Sequence, residues 1–139
     1  MANTPNELFA LAEDLFTNYS NQTEPFCRNI AGRSYYSCYH ICSEVATKYG
    51  IPYDKKNRNP KKHYHSHKFL YDSMKNYANS NTSSNDVHKI RVIGMILAQC
   101  LCLRIKADYK INKLFTYNQS DDSIQCGRAI MQKSGSLLP

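Results

Sequence analysis

The chain has 139 residues, of which 42% are hydrophobic and 21% charged, a balance typical of one folded domain and not of a disordered tail. Its start lacks a basic segment, and its longest apolar stretch is shorter than the ~20 residues that cross a bilayer, so we expect a soluble cytoplasmic protein with no membrane partner. The net charge of +7 favours an acidic partner, unless it serves solubility alone.

Two helices are predicted before residue 50. The segment Thr4–Glu7 combines a side-chain cap, a proline in the first turn and a capping-box carboxylate, which predicts a first helix over Pro5–Tyr19. Its core stripe is predicted to contain Leu8, Leu11, Ala12, Leu15, Phe16 and Tyr19. A second, long helix is predicted over Pro25–Tyr49, where Gly50 ends it.

A polar loop follows, and three further helices are predicted after it. They run from Ser66 to about Ala78, from Asp86 to about Lys110, and over a short final stretch from Ser120 to Ser134, after which the tail should fray. The fourth is apolar around most of its circumference, so we expect it to be the core helix. No strand pattern stands out. The sequence predicts a single all-α domain over 1–139, an up-and-down bundle of four to five helices with its core at about 5–111.

The six cysteines do not suggest a secreted, disulfide-linked protein, because no export signal is present. Cys38, Cys42, Cys100 and Cys102 lie in apolar, helix-patterned runs, and we interpret them as reduced core residues. A zinc site is the alternative, but the chain has no CxxC pair. We expect no cofactor and no metal.

The second helix carries a group of polar side chains on one side. Arg33 and His40 are seven residues apart, so an α-helix turns through about 700° between them, and they point within about 20° of each other, roughly 10.5 Å apart along the axis. Tyr36, Ser37 and Glu44 are predicted to share this face.

An arginine beside a histidine is suited to phosphodiester chemistry. The histidine can transfer a proton near neutral pH, and the guanidinium can bind two phosphate oxygens. A purely structural role is the alternative, in which Arg33 pairs with a carboxylate and His40 is hydrogen-bonded at a helix interface.

The predicted loop after the second helix is strongly basic. Its basic residues, with one tyrosine among them, are Lys55, Lys56, Arg58, Lys61, Lys62, Tyr64 and Lys68. Phosphates attract such a run, and the tyrosine could stack on a base, so the loop is a candidate RNA-binding segment or else simply solvated. His63, His65 and His67 alternate along it, a weak indication of a metal site.

Two separated motifs carry a family resemblance. R-S-Y-Y-S-C-Y-H at 33–40, then His67 at the start of a helix, then R-I-K-A-D-Y at 104–109, resemble the HEPN superfamily. The similarity is to its small stand-alone branch, which reads R-x-Y-Y-x-x-x-H early and R-x-x-A-D-Y late. It spans about Pro25 to Ile111.

The resemblance implies a homodimeric helical bundle and, as in many HEPN proteins, a metal-independent ribonuclease. Arg33 and His40 would be its catalytic residues, and an RNA substrate and a cognate antitoxin or defence-system partner would be its partners. The supporting residues would be Tyr36, Glu44, His67, Arg104, Asp108 and Tyr109. The spacing of Arg104 and Asp108 also permits a purely structural ion pair.

Two alternatives remain open. Arg58-Asn-Pro-Lys-Lys-His63 also fits the nuclease pattern, although Pro60 is incompatible with a continuous helix there. The second alternative is that the chain is not a nuclease, because Ser34 follows Arg33 where HEPN nucleases usually have Asn or Asp. The chain would then be a non-catalytic HEPN module that binds nucleotide or RNA, or a subunit of a larger assembly.

Overall fold

The computed structural model describes residues 4–19, 23–53 and 65–138. In these ranges the chain forms five α-helices and no β-strand: α1 (Pro5–Tyr19), α2 (Glu24–Tyr49), α3 (His65–Lys75), α4 (Ser84–Tyr109) and α5 (Tyr117–Leu137). Helix α2 packs against each of the other four, α3 packs mainly on α4, and α1 lies against α2 and α5. The prediction of an all-α helical bundle is confirmed.

The capping residues explain the ends of α1 and α2. At the start of α1 the Thr4 N–H donates to Glu7 Oε2 (2.9 Å) and the Glu7 N–H donates to Thr4 Oγ1 (3.1 Å), which is a reciprocal capping box. The Thr23 side chain caps α2, and Gly50 ends it in the left-handed conformation, with φ 67°. Both helices therefore have their predicted bounds to within one residue.

The last helix is longer than predicted at both ends. It starts directly after Thr116, whose hydroxyl oxygen accepts the Gln119 N–H (3.2 Å) while the Gln119 side chain accepts the Thr116 N–H (2.9 Å). The predicted start at Ser120 is wrong because this capping box lies earlier in the chain. The predicted fraying after residue 134 is also wrong, because Leu137 is buried and its carbonyl accepts from Lys48 Nζ.

The main core lies between α2, α4 and parts of the other helices. Its largest fully buried members include Tyr35, Val45, Leu70, Met74, Ile90, Ile93, Leu97, Ile130 and Leu137. Helix α2 packs on all four other helices, and α4, the predicted core helix, packs on α2, α3 and α5. Many of its buried residues are small, such as Ala31, Ser34, Ser37 and Ala46. Small side chains allow helices to pack closely on several sides of α2. A search for large apolar residues at helical spacing does not indicate such positions.

Most of the predicted stripe of α1 faces the bundle, since Ala12, Leu15 and Phe16 belong to or pack against one core cluster, but one position differs. Phe9 and Ala12 are buried, whereas Leu11 is 44% exposed, so the prediction of Leu11 as a core residue is wrong. The Phe9 ring occupies the space above Gly127 of α5, where an added Cβ would lie 2.2 Å from Phe9 Cε1. The absence of a side chain at Gly127 therefore leaves the space that Phe9, which the predicted stripe did not include, fills.

All six cysteines are free. Cys38, Cys42 and Cys100 are buried as expected, with the Cys38 and Cys100 sulfurs 4.0 Å apart, and burial raises the pKa of the Cys42 thiol. Cys102 is exposed, contrary to its prediction. Two residues turn a helix through about 200°, which places Cys102 on the side of α4 opposite to Cys100.

Candidate functional site

The structure places four of the predicted site residues on one exposed surface of α2. We call Arg33, Tyr36, His40 and Glu44 the α2 face; all four side chains are exposed. Ser37 does not belong to it, because its hydroxyl is buried and donates to the Arg33 carbonyl (3.0 Å). A residue four positions after Arg33 is turned by about 40°, here toward the bundle.

Arg33 opens onto a shallow pocket between α2 and α4. This arginine pocket has a volume of about 280 Å³ and is lined by Asn29, Gly32, Arg33, Tyr36, Arg104 and Asp108. Arg33 Nε donates to Asn29 Oδ1 (3.0 Å), a neutral oxygen. In the described part of the chain Arg33 forms no ion pair, whereas the structural alternative required one with a carboxylate. Two guanidinium groups from different helices therefore line one pocket.

Arg104 is held on several sides. Its Nε donates to Asp108 Oδ2 (3.1 Å), and its guanidinium carbon lies 5.4 Å from the centre of the Tyr35 ring and 5.7 Å from that of the Tyr109 ring. Gly32 of α2 lies beside the Asp108 carboxylate. A Cβ added at Gly32 would lie 3.4 Å from Asp108 Oδ1. The predicted ion pair is thus present, and it forms one wall of the arginine pocket.

His40 lies in a second, larger groove on the same surface. This groove, of about 590 Å³, is lined by Pro5, Leu8, His40, Ser43, Glu44, Thr47, Lys48 and Tyr53. The Tyr36 and His40 rings are 5.0 Å apart between centroids, so Tyr36 lies between the two cavities. Within one chain, Arg33 and His40 share a face but line separate cavities.

His67, at the start of α3, is joined to α2 through two tyrosines that the sequence reasoning missed. Its Nδ1 is hydrogen-bonded to the Tyr35 hydroxyl (2.7 Å), and its ring is 4.5 Å from that of Tyr39, which in turn is 5.7 Å from His40. Burial raises the pKa of Tyr35 far above its usual value, and the nearby Arg104 charge partly opposes this. The spacing of four residues between Tyr35 and Tyr39 was the available signal for a shared side of α2.

Most of the predicted RNA-binding loop lies outside the described residues. This applies to Lys55, Lys56, Arg58, Lys61, Lys62 and Tyr64, and also to His63, on which the alternative nuclease pattern and the three-histidine metal site depend. Lys68 is described: it is exposed, and its Nζ lies 3.5 Å from Asp72 Oδ2. Among the described residues, no group of three or more His, Cys, Asp or Glu side chains is arranged to hold a metal ion.

The fold and this site define an all-helical bundle that presents arginine, tyrosine and histidine on one exposed surface. Comparisons of the chain with protein-family models, curated proteins and solved structures give no match. None of the helices in the described ranges is long and apolar enough to cross a membrane.

Proposed function

We propose that this protein is a metal-independent HEPN-type endoribonuclease that acts as a cytoplasmic toxin or phage-defence effector. The observation that carries the proposal is that Arg33, Tyr36 and His40 lie together on one exposed face of α2, with Tyr36 in ring contact with His40. The order of the two motifs at 33–40 and 104–109 supports the HEPN assignment. A cognate antitoxin or defence-system partner would control the activity.

The chemistry required is internal transesterification. The ribose 2′-oxygen attacks the adjacent phosphorus, the bond from phosphorus to the 5′-oxygen breaks, and the products are a 2′,3′-cyclic phosphate and a 5′-hydroxyl. His40 takes the proton from the 2′-hydroxyl or supplies one to the leaving oxygen, and Arg33 stabilises the charge on the phosphate. Because the nucleophile belongs to the substrate, no activated water is needed.

The separation of Arg33 and His40 supports a site built from two chains. The two residues line different cavities in one chain, with Tyr36 between them. A symmetric dimer that apposes two α2 faces would bring each arginine toward the other chain's histidine. It would also supply two histidines, so that one acts as the acid and the other as the base.

The test is cleavage of labelled RNA by the purified protein in EDTA. We expect RNA to be cut to 2′,3′-cyclic phosphate ends and DNA of the same sequence to resist, because it lacks the 2′-hydroxyl. His40→Ala should lower the rate by about 10² to 10⁴, the usual contribution of general acid-base catalysis. Arg33→Lys should also impair turnover, because an ammonium group does not reproduce the bidentate guanidinium.

His88→Ala is the matched control. His88 is also an exposed helical histidine, and it lies sixteen residues before Arg104 on α4, roughly 24 Å along the axis. This variant should cleave RNA at the normal rate. The mechanism is refuted if EDTA abolishes cleavage, if DNA is cut equally well, or if His40→Ala is fully active.

A second function, a non-catalytic module that binds nucleotide or RNA, is favoured by the arginine pocket. Two arginines and a half-exposed tyrosine line this pocket without His40. Under this alternative, Arg33→Ala weakens RNA binding while neither the normal protein nor His40→Ala cleaves RNA.

A further inference from the structure

The arginine pocket contains two guanidinium groups, and among the described residues only that of Arg104 is paired with a carboxylate. Three of its lining residues belong to the charged residue types: Arg33, Arg104 and Asp108. Asp108 pairs with Arg104, and in the described part of the chain the Arg33 guanidinium donates only to the neutral Asn29 side-chain oxygen. Within the described residues, both Nη groups of Arg33 are left without a hydrogen-bond partner.

Arg104 is already held in place for a ligand. The Asp108 contact uses its Nε, and among the described residues its Nη2 makes one long contact, of 3.5 Å, to the Tyr109 hydroxyl. The rings of Tyr35 and Tyr109 restrict the guanidinium further. A side chain immobilised before binding loses less conformational entropy when the ligand arrives. The remaining N–H groups of Arg104 are therefore available to an anion at little entropic cost.

The third feature is an aromatic ring at the edge of the pocket. Tyr36 lines the pocket and is 54% exposed. A phosphate accepts several hydrogen bonds and suits two guanidinium groups, while an exposed ring beside it can stack on an unpaired base. These are the two parts of a nucleotide in single-stranded RNA, whereas a duplex keeps its bases stacked on each other.

We propose that Arg33 and Arg104 of the same chain together bind one backbone phosphate of single-stranded RNA, and that Tyr36 stacks on the adjacent base. This inference rests on the proposed function, since it assigns the substrate class of the same surface. Arg104 is then a phosphate-binding residue, and Asp108 is a positioning residue that holds it.

The experiment measures binding of a labelled single-stranded 2′-O-methyl RNA, which cannot form the cyclic phosphate, over a range of salt concentrations. Arg104→Gln should weaken binding about 10-fold or more, as for the loss of a hydrogen bond to a charged group. It should also lower the slope of log affinity against log salt by about 0.7, the value for one phosphate contact on a single strand. Tyr36→Ala should weaken binding by about 5-fold or more, whereas Tyr36→Phe should bind normally.

Arg128→Gln is the matched control. Arg128 on α5 also pairs with a carboxylate, with its Nε 2.8 Å from Glu13 Oε2, and its loss changes the net charge equally. It should leave the salt slope unchanged. Asp108→Asn separates binding from fold: it breaks the same ion pair but leaves both arginines, so RNA binding should weaken less than in Arg104→Gln.

Equal weakening by Arg104→Gln and Asp108→Asn would show that the ion pair is only structural and would overturn the inference. So would an unchanged affinity and slope in Arg104→Gln. The two proposals fail separately. If RNA is cleaved but Arg104→Gln binds normally, the phosphate site is wrong and the nuclease stands. If binding depends on Arg104 but RNA is never cleaved, the nuclease is wrong and the phosphate site stands.

Discussion

Tyr35 connects the core of the bundle to the candidate site. It is fully buried, its hydroxyl is hydrogen-bonded to His67 Nδ1 (2.7 Å), and its ring lies 5.4 Å from the Arg104 guanidinium carbon. Burial raises its pKa above the ordinary value of 10.0, although the Arg104 charge opposes the shift. The side chain therefore remains a neutral phenol over the physiological pH range.

This raised pKa predicts a pH dependence of stability. In the unfolded chain Tyr35 loses its proton near its ordinary pKa of 10.0, while in the folded chain it keeps the proton to higher pH. Above that value the unfolded state binds fewer protons, so the free energy of unfolding falls as the pH rises. In Tyr35→Phe this contribution is absent, and at pH 8 the lost hydrogen bond costs about 0.5 to 1.5 kcal/mol.

Urea unfolding at pH 8 and pH 10.5 tests the prediction. The stability difference between the normal protein and Tyr35→Phe should narrow at the higher pH. Tyr36→Phe, which removes an exposed hydroxyl from the neighbouring residue, should follow the normal protein at both values. A difference that is the same at both pH values would contradict the role given to Tyr35.

At the scale of the helices, the docking of α1 depends on one close contact. An added Cβ at Gly127 would lie 2.2 Å from Phe9 Cε1 and 2.9 Å from Ser34 Oγ. Phe9 and Ser34 are both buried, so neither can move away without disturbing its neighbours. The contact joins α1, α2 and α5 at one point.

Two glycines of α5 therefore serve as a test position and its control. Gly127→Ala should destabilise the fold by about 1 to 3 kcal/mol, the usual cost of overpacking a core. Gly135→Ala should be neutral or stabilising by up to about 1 kcal/mol, because nothing lies within 4 Å of its added Cβ and alanine favours a helix. The free energies of unfolding of both variants, measured with denaturant, test this prediction. Equal values would show that the Phe9 contact does not hold α1.

At the scale of the whole molecule, the position of the α2 face predicts the state of assembly. If Arg33 and His40 act together from two chains, the protein is a symmetric dimer at micromolar concentration. Light scattering should then give about twice the chain mass of 16.0 kDa. His40→Ala should keep that mass, so that its loss of activity reports chemistry and not dissociation.

Dilution provides the second measurement of the dimer. The RNase activity per chain should fall once the concentration drops below the dissociation constant of the dimer, because a single chain has its arginine and histidine in separate cavities. A protein that is strictly monomeric at micromolar concentration, with undiminished activity on dilution, would exclude the two-chain site.

The sequence alone determined the features that depend on local interactions. The Thr4–Glu7 capping box and Gly50 define helix ends, because caps act within one turn. The helical period likewise placed Arg33, Tyr36 and His40 on one side of α2. These properties need no knowledge of what packs against the helix.

The tertiary structure decided everything that depends on contacts between distant residues. Arg104 lines the same pocket as Arg33, and Tyr35 is hydrogen-bonded to His67, across separations of 71 and 32 residues that no local pattern encodes. The burial of Phe9 depends in the same way on the space above Gly127, which the hydrophobic stripe of α1 did not indicate. The apolar pattern of a helix indicates that it packs against a core. The shape of the neighbouring helix determines which individual side chains are buried there.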